Sequence, residues 1–313
     1  MSIESHDHHD HDHGHGHGHV HAPASFGAAF AVGVVLNGGL VLAQLGYGLA
    51  AHSVALLADA AHNFGDVLGL LLAWGAAWLG RRSPSARRTY GWGRSSILAA
   101  LVNATVLLIG VGAIAVEAVQ HLLAPTQVAG GTVMVVAALG IAINGVTAWL
   151  FSRGHDDLNI RAAFLHMAGD AAVSLGVLVS AGLILATGWL WLDPLASLGI
   201  VAVITLGSWS VLRQATNLAM DGVPDGIAHA EVEAFLGTLP GVSEVHDLHI
   251  WGLSTTETAL TAHLVREDGA DDEDLIVRTC QTLRQQFRIG HATLQLESAA
   301  IAASCRLRPG DVV

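Results

Sequence analysis

Residues 54–80, VALLADAAHNFGDVLGLLLAWGAAWLG, form an apolar stretch that is long enough to cross a lipid bilayer as a helix. Three ionisable side chains lie inside it, Asp59, His62 and Asp66. Because a charge is costly at membrane depth, ionisable residues in a span usually have a function. The stretch therefore predicts a membrane protein with a polar site between its helices.

Five further apolar stretches have a similar length, so the sequence predicts an all-α six-helix transmembrane domain over residues 25–212. The predicted spans are residues 26–49, 54–80, 96–119, 129–152, 161–187 and 194–212. Composition agrees, because 52% of the 313 residues are hydrophobic and 13% are charged, whereas soluble chains carry about 25% charged residues.

Arginines occur only in alternate connections between the spans. The second connection holds five, Arg153 and Arg161 flank the fourth, and Arg213 follows the last span. By the positive-inside rule, these loops and both termini are predicted to be cytoplasmic in a bacterial cytoplasmic (inner) membrane. The chain has no lysine and a net charge of −12, so lipid is the expected surrounding partner and a nucleic-acid partner is excluded.

A small cytosolic α+β domain is predicted over residues 223–305, after a linker at 213–222 and before a C-terminal tail at 306–313. Its predicted elements are helices at 227–238 and 271–287 and strands at 243–252, 257–266 and 290–298. Residues 223–313 contain fourteen acidic residues and six arginines, a net charge of −8. This domain should attract cations.

Residues 1–24 form a low-complexity segment in which nine histidines alternate with aspartate and glycine. Such a segment cannot bury a core, so a disordered cytoplasmic tail is predicted. The tail could chelate metal weakly and raise its local concentration, or it could be dispensable. Both interpretations stay open.

The pattern His-x-x-x-Asp occurs twice, as His62 with Asp66 in the second span and His166 with Asp170 in the fifth. Residues four apart share one face of a helix, so each pair presents an imidazole and a carboxylate together. Two such helices provide four ligands that suit tetrahedral Zn²⁺. The alternative is that each pair forms a hydrogen bond that stabilises helix packing. A single copy of the pattern would fit this alternative about as well as a metal site, but two copies in separate spans favour the metal site.

Two aspartates would cancel the charge of one divalent cation at the bilayer midplane. Without metal, two protons would restore neutrality, so exchange of metal for protons is expected. Asp59 lies three residues before His62 on the same stripe. It is expected to orient that imidazole or relay protons, and a cap at a helix end near the surface is an equal alternative.

Two other polar residues in the spans are expected to have structural roles. Asp193 precedes Pro194 and is expected to cap the start of the sixth span. Gln44, inside the first span, is expected to hydrogen-bond across helices.

Six segments together resemble the cation diffusion facilitator family over nearly the whole chain after the tail. They are LLADAAHNFGDVLGL (Leu56–Leu70), YGWGR (Tyr90–Arg94), FLHMAGDAAVSLGVL (Phe164–Leu178), the Asp193-Pro194 turn, MDGVP from Met220 and VHDLHIWGL from Val245. The resemblance implies six spans, a homodimer, a ferredoxin-like (metallochaperone-like) cytosolic domain and proton-coupled export of a divalent metal.

By the same resemblance, the transport site would consist of His62, Asp66, His166 and Asp170. Histidine at the first position of the second-span motif resembles the zinc-preferring branch, so Cd²⁺ should fit less well, while Co²⁺ and Ni²⁺ accept similar ligands. Some relatives have a further metal site after the second span. The corresponding loop here, RRSPSARRTYGWGR, has neither histidine nor acid, and we expect that site to be absent.

The resemblance also implies a regulatory zinc site in the cytosolic domain, across a dimer contact. The candidate ligands are His249 and His263, then His291, Glu297 and Cys305. His246 belongs to the same group of ligand-type side chains on the predicted strands, but His246 and Asp247 could equally be surface residues. Zinc would thus be both substrate and regulatory ligand.

The leading hypothesis is a Zn²⁺/H⁺ antiporter rather than an enzyme. An intramembrane metal-dependent hydrolase would need an HExxH helix or a zinc ion with an open position, and the chain has no HExxH. A passive metal sensor or storage protein would suit the tail but leaves six spans unexplained.

Overall fold

The computed structural model describes residues 28–151, 158–266 and 272–307, and the side chains of residues 34–146, 168–266 and 273–307. Over these residues the chain forms a helical transmembrane domain followed by a small α+β domain. This confirms the predicted fold class. The predicted tail at residues 1–24 lies outside the described residues.

The transmembrane domain contains six helices in the described part of the chain. They are α1 (Ala28–Ala51), α2 (Val54–Gly80), α3 (Ser95–Leu123), α4 (Gly130–Phe151), α5 (Leu158–Thr187) and α6 (Leu192–Ala219). Five are long and apolar enough to cross a membrane, by length and composition, and the described apolar part of α4, Gly130–Val146, is shorter. The chain is therefore a multi-pass membrane protein.

Helix α2 lies at the centre of this domain, because it contacts α1, α3, α5 and α6. The most extensive helix pairs are α3 with α6 and α4 with α5. The first seven residues of α2 are all buried. Three of them, Ala55, Leu56 and Ala58, belong to a core with side chains from α3, α4, α5 and α6: Val111, Val133, Val177 and Ile204. Polar groups on α2 are thus held among other helices.

The start of α6 differs from the sequence expectation. Helix α6 begins at Leu192, so Asp193 lies within its first turn. The Asp193 carboxylate accepts hydrogen bonds from the backbone N–H groups of Val54 (2.7 Å) and Ala55 (3.2 Å) and from the Ser53 hydroxyl. The prediction that Asp193 caps α6 is wrong: it caps α2, whose buried first N–H groups have no acceptor within their own helix.

The end of α6 also differs. The helix continues to Ala219, so residues 213–219 are helical and do not belong to a linker. The chain then turns at Asp221, which has a left-handed φ of 57°. The Asp221 carboxylate pairs with the guanidinium of Arg94 at the start of α3. Only a short turn therefore connects the two domains.

The C-terminal domain is built around a three-stranded sheet in the described residues. Its elements are α7 (His229–Gly237), β1 (Val242–Gly252), β2 (Thr258–Arg266), α8 (Asp272–Gln286), β3 (His291–Glu297) and a short α9 (Ala299–Ala302) that the sequence did not predict. The strand order is β1-β2-β3. Strands β1 and β2 are antiparallel, and β2 and β3 are parallel with α8 between them.

A bulge in β1 determines which of its side chains share a face. His246 lies opposite His263, whereas His249 lies opposite Thr261, so β1 contains one extra residue between the two histidines. Asp247, within the bulge, has a φ of 50°. The extra residue turns His246 and His249 to the same face, which a regular strand would not do for residues three apart.

Candidate metal centres

Helices α2 and α5 bring three of the four predicted intramembrane ligands together. His62 Nε2 lies 2.9 Å from Asp170 Oδ1. His62, Asp66 and Asp170 each offer one ligand atom, and these atoms all lie within 4.8 Å of one another. Asp170 is buried, and the His62 side chain is 19% exposed. The spacing on the two helices therefore converges on one point inside the domain.

The fourth predicted ligand, His166, lies on α5 one turn before Asp170. Its side chain is outside the described residues. The described part of the site thus consists of one imidazole and two carboxylates, a donor set that suits a divalent cation. Neighbouring ligand atoms on a tetrahedral Zn²⁺ are about 3.4 Å apart. The observed separations would need only small side-chain shifts to reach that value.

A buried hydrogen-bond network lies one turn away from this site. The Asp59 carboxylate is fully buried and accepts hydrogen bonds from Gln44 Nε2 (2.6 Å) and Ser174 Oγ (3.0 Å). Gln44 Oε1 in turn accepts one from Asn63 Nδ2 (3.0 Å). The expected bond from Gln44 across helices is confirmed. The alternative of Asp59 as a cap near the surface is wrong.

This network joins α1, α2 and α5 on one side of the metal ligands. Asp59 precedes His62 by three residues and Ser174 follows Asp170 by four, and the two helices are antiparallel. The network can therefore fix the spacing between the helices that carry the ligands. Sequence reasoning missed Ser174, although it continues the stripe of Asp170 at the same four-residue spacing.

A second cluster lies in the C-terminal domain. One ligand atom from each of four side chains lies within 4.8 Å of the others: His246, His263, Glu297 and Cys305. His263 Nδ1 is 3.0 Å from Glu297 Oε1 and 3.8 Å from Cys305 Sγ. His246 Nε2 is 3.5 Å from Glu297 Oε2. Imidazole, carboxylate and thiolate are the three side-chain ligand types that zinc accepts, and four of them suit its tetrahedral geometry.

The interpretation of His246 as a surface residue is wrong. Its side chain is 5% exposed, and neither of its ring nitrogens forms a hydrogen bond with the described residues. Glu297 Oε2 is also buried without a hydrogen bond there. Buried polar atoms are normally paired, and a metal ion between these side chains would coordinate one ring nitrogen of His246 and the free oxygen of Glu297. The residues present therefore fit a metal.

His249 lies outside this cluster, although it shares the face of His246. It lies three residues beyond His246 on β1, opposite Thr261, and its Nε2 is hydrogen-bonded to Asp247 Oδ1 at 2.9 Å. The other oxygen of Asp247 lies 3.5 Å from His263 Nε2. Asp247 thus bridges His249 to the edge of the cluster. It is not the plain surface residue considered above, since its side chain is 10% exposed.

His291 also lies outside the cluster because of the register of the parallel strands. It pairs with Ala259, whereas His263 pairs with Gln295 four residues further along β3. Four residues of strand span about 13 Å. His291 instead packs edge-on against Tyr90 of the loop after α2, with ring centroids 5.6 Å apart.

Comparison with known proteins assigns both domains. The family model described as the cation efflux transmembrane domain matches residues 30–218. The model described as the cytoplasmic domain of cation efflux proteins matches residues 224–299. Together these matches cover most of the chain.

Individual relatives agree with the family models. The metal cation efflux system protein CzcD of Cupriavidus metallidurans is 35% identical over 271 residues, which cover 86% of this chain and 85% of the relative. The zinc transporter ZitB of Escherichia coli is 33% identical over 285 residues, 90% of each chain. The cadmium, cobalt and zinc/H(+)-K(+) antiporter of Bacillus subtilis is 32% identical over 273 residues, 85% of this chain and 87% of the relative.

Among solved structures, the metal-bound C-terminal domain of the CzcD transporter from Cupriavidus metallidurans is 38% identical, with a TM-score of 0.22. The match covers 23% of this chain and 99% of that structure. Because one family model matches more than half of the chain and three relatives align over most of their length, the chain belongs to the cation efflux (cation diffusion facilitator) family and is a membrane transporter of metal cations, not an enzyme.

Proposed function

We propose that the protein exports Zn²⁺ from the bacterial cytoplasm in exchange for protons, by alternating access to one site formed by His62, Asp66, His166 and Asp170. The observation that carries this proposal is the convergence of α2 and α5, which leaves ligand atoms of His62, Asp66 and Asp170 within 4.8 Å of one another inside the helical domain. Ionisable groups at that depth are costly unless they have a partner or a cargo.

Proton coupling follows from the charges of the site. With metal bound, two carboxylates balance Zn²⁺. After the metal leaves, the same carboxylates face a low-dielectric interior and favour uptake of protons by the site. The name of the Bacillus subtilis relative, a zinc/H(+)-K(+) antiporter, supports the same coupling. Rocking of one helix group against the other would expose the site to each side in turn.

The orientation of the protein rests on its arginines. Five arginines lie in the connection after α2, Arg153 lies in the connection after α4, and Arg161 and Arg213 lie near the start of α5 and the end of α6, whereas the connections after α1, α3 and α5 carry none. We therefore place the arginine-bearing loops, both termini and the C-terminal domain in the cytoplasm, with export directed across the inner membrane.

We further propose that the cluster of His246, His263, Glu297 and Cys305 binds a regulatory zinc ion. The surrounding domain carries a net charge of −8 over residues 223–313, so a bound cation would reduce repulsion between two copies. Zinc binding would thereby favour the homodimer and its transport.

Zinc flux into proteoliposomes tests the transport site. Asp66→Ala and Asp170→Ala are each expected to abolish zinc uptake driven by a pH gradient, because each removes a ligand and leaves the site's charge unbalanced. A zinc-sensitive dye and a pH-sensitive dye in the lumen report both ions in one preparation. Asp225→Ala, at an exposed aspartate in the turn after α6, is the matched control.

Two results would contradict the proposal. Wild-type zinc flux in either ligand variant would show that these residues do not form the transport site. Zinc flux without a coupled change in luminal pH would contradict the proposed exchange for protons but not the proposed transport of zinc.

A further inference from the structure

A groove of about 730 Å³ lies between the end of α2 and the start of α3, beside the loop that connects them. The large aliphatic side chains that line it come from both helices and from the turn after β1: Leu72, Leu79, Leu98, Val102 and Leu253. Leu72 lies seven residues before Leu79, so the groove extends about 10 Å into the span. Arg87 and Arg88 of the loop also line it.

The loop concentrates positive charge at the mouth of this groove. Residues 81–94 contain five arginines and neither an acid nor a histidine, in a chain whose net charge is −12. Arg88 stacks on Trp92, with its guanidinium carbon 3.6 Å from the ring centroid. A stacked guanidinium keeps its N–H donors in its own plane, where a phosphate can accept them. Arg87 is exposed beside it.

We propose that this groove binds an anionic phospholipid of the adjoining leaflet. The phosphate-bearing headgroup would lie against Arg87 and Arg88, and an acyl chain would lie along Leu72, Leu79, Leu98 and Val102. Basic pockets between transmembrane helices bind such headgroups, and the volume lies in the range of ordinary ligand sites, about 300–1,000 Å³. The combination of an arginine rim and an apolar channel matches the two parts of one lipid molecule.

A second copy of the chain is a poorer occupant of the groove. In a two-fold interface the same patch faces itself, so the arginine-rich loop of one protomer would lie against the identical loop of the other. Juxtaposed like charges oppose association. An anionic lipid neutralises the same arginines.

A bound lipid would also contact the loop between α2 and α3, which packs against the C-terminal domain. Tyr90 of this loop packs against His291, and Ser96 at the start of α3 accepts a hydrogen bond from the backbone N–H of Thr255 at 3.1 Å. The lipid would therefore bridge α2 and α3 at the point where they meet the C-terminal domain.

Native mass spectrometry of the full-length protein in detergent tests the proposal, with phosphatidylglycerol and phosphatidylcholine as the two probes. The wild type is expected to bind phosphatidylglycerol about tenfold more tightly or better, given two arginines at the headgroup. Arg87→Gln with Arg88→Gln should lose this preference. Arg81→Gln with Arg82→Gln removes the same charge from loop positions that do not line the groove, and this control should keep it.

A third variant tests the apolar part of the groove without changing charge. Gly75 lines the groove, and a Cβ added there meets no atom within 4 Å, so the backbone accepts a side chain at this position and Gly75→Leu is expected to occupy part of the groove. It should weaken binding of both lipids. The proposal is overturned if the wild type shows no preference, if both double variants lose it equally, or if Gly75→Leu binds lipid like the wild type.

Discussion

Asp193, in the first turn of α6, caps the first turn of α2 through the backbone N–H groups of Val54 and Ala55. The carboxylate is 2% exposed, so water cannot replace it as an acceptor. This contact fixes the start of α2, the helix that carries His62 and Asp66, to the start of α6, the last helix of the membrane domain.

Asp193→Ala is therefore expected to destabilise the protein by about 1–3 kcal/mol, because it leaves buried N–H groups without an acceptor. The midpoint of thermal unfolding in detergent measures this loss. Asp225→Ala removes an exposed aspartate and should leave the midpoint unchanged. Equal midpoints for wild type and Asp193→Ala would show that the cap contributes nothing to stability.

His62→Asp is expected to relax metal selectivity toward Cd²⁺. The imidazole presents one nitrogen at a fixed distance from its ring, whereas a carboxylate is shorter and can bind through one oxygen or two, which accommodates a larger ion. Competition of Cd²⁺ against Zn²⁺ uptake in proteoliposomes measures the change. His121→Asp, at a histidine that contacts Thr126 near the end of α3, is the control, and an unaltered Cd²⁺ to Zn²⁺ ratio in His62→Asp would argue against a selective role.

Asp59→Leu should destabilise the protein more than Asp59→Asn. Leucine leaves the Gln44 amide and the Ser174 hydroxyl without their acceptor, at a cost of about 1–3 kcal/mol for each buried group, while asparagine retains one carbonyl oxygen. Asp59→Asn should leave the zinc bound at the transport site unchanged, because Asp59 supplies no ligand and asparagine keeps an acceptor for the network that spaces the two helices. Thermal midpoints test the predicted stabilities, and equilibrium zinc binding tests the role of Asp59 at the site. Loss of zinc from the more stable variant would show that Asp59 is a ligand.

The helices were predictable because the length of each apolar run determines a span. The sequence missed two features at the ends of α6. Residues 213–219, RQATNLA, are too polar to read as a membrane span, yet they continue the helix toward the C-terminal domain. Asp193 followed by proline is a local capping pattern, and the tertiary demand of buried N–H groups on α2 overrides it.

The intramembrane ligands followed from spacing alone, since His-x-x-x-Asp places both side chains on one helix face. The cytosolic ligands did not, because their geometry depends on a bulge at Asp247 that no glycine marks in the sequence. Without the bulge, His246 and His249 would point to opposite faces. The parallel register of β3 could not be read from the sequence either, and it separates His291 from His263.

Zinc content provides the last test, at the cluster in the C-terminal domain. His246→Ala and Glu297→Ala should lower the zinc retained per full-length chain, because each removes a buried donor that lies within 4.8 Å of the other ligand atoms. His291→Ala should retain wild-type zinc, since His291 contacts Tyr90 instead. Retention should also fall when the pH is lowered from about 8 to about 6, because imidazole and thiol ligands must be deprotonated to bind metal. Elemental analysis after gel filtration measures all three. A loss in His291→Ala as large as that in His246→Ala would place the zinc elsewhere on the sheet, and pH-independent retention would argue against histidine ligands.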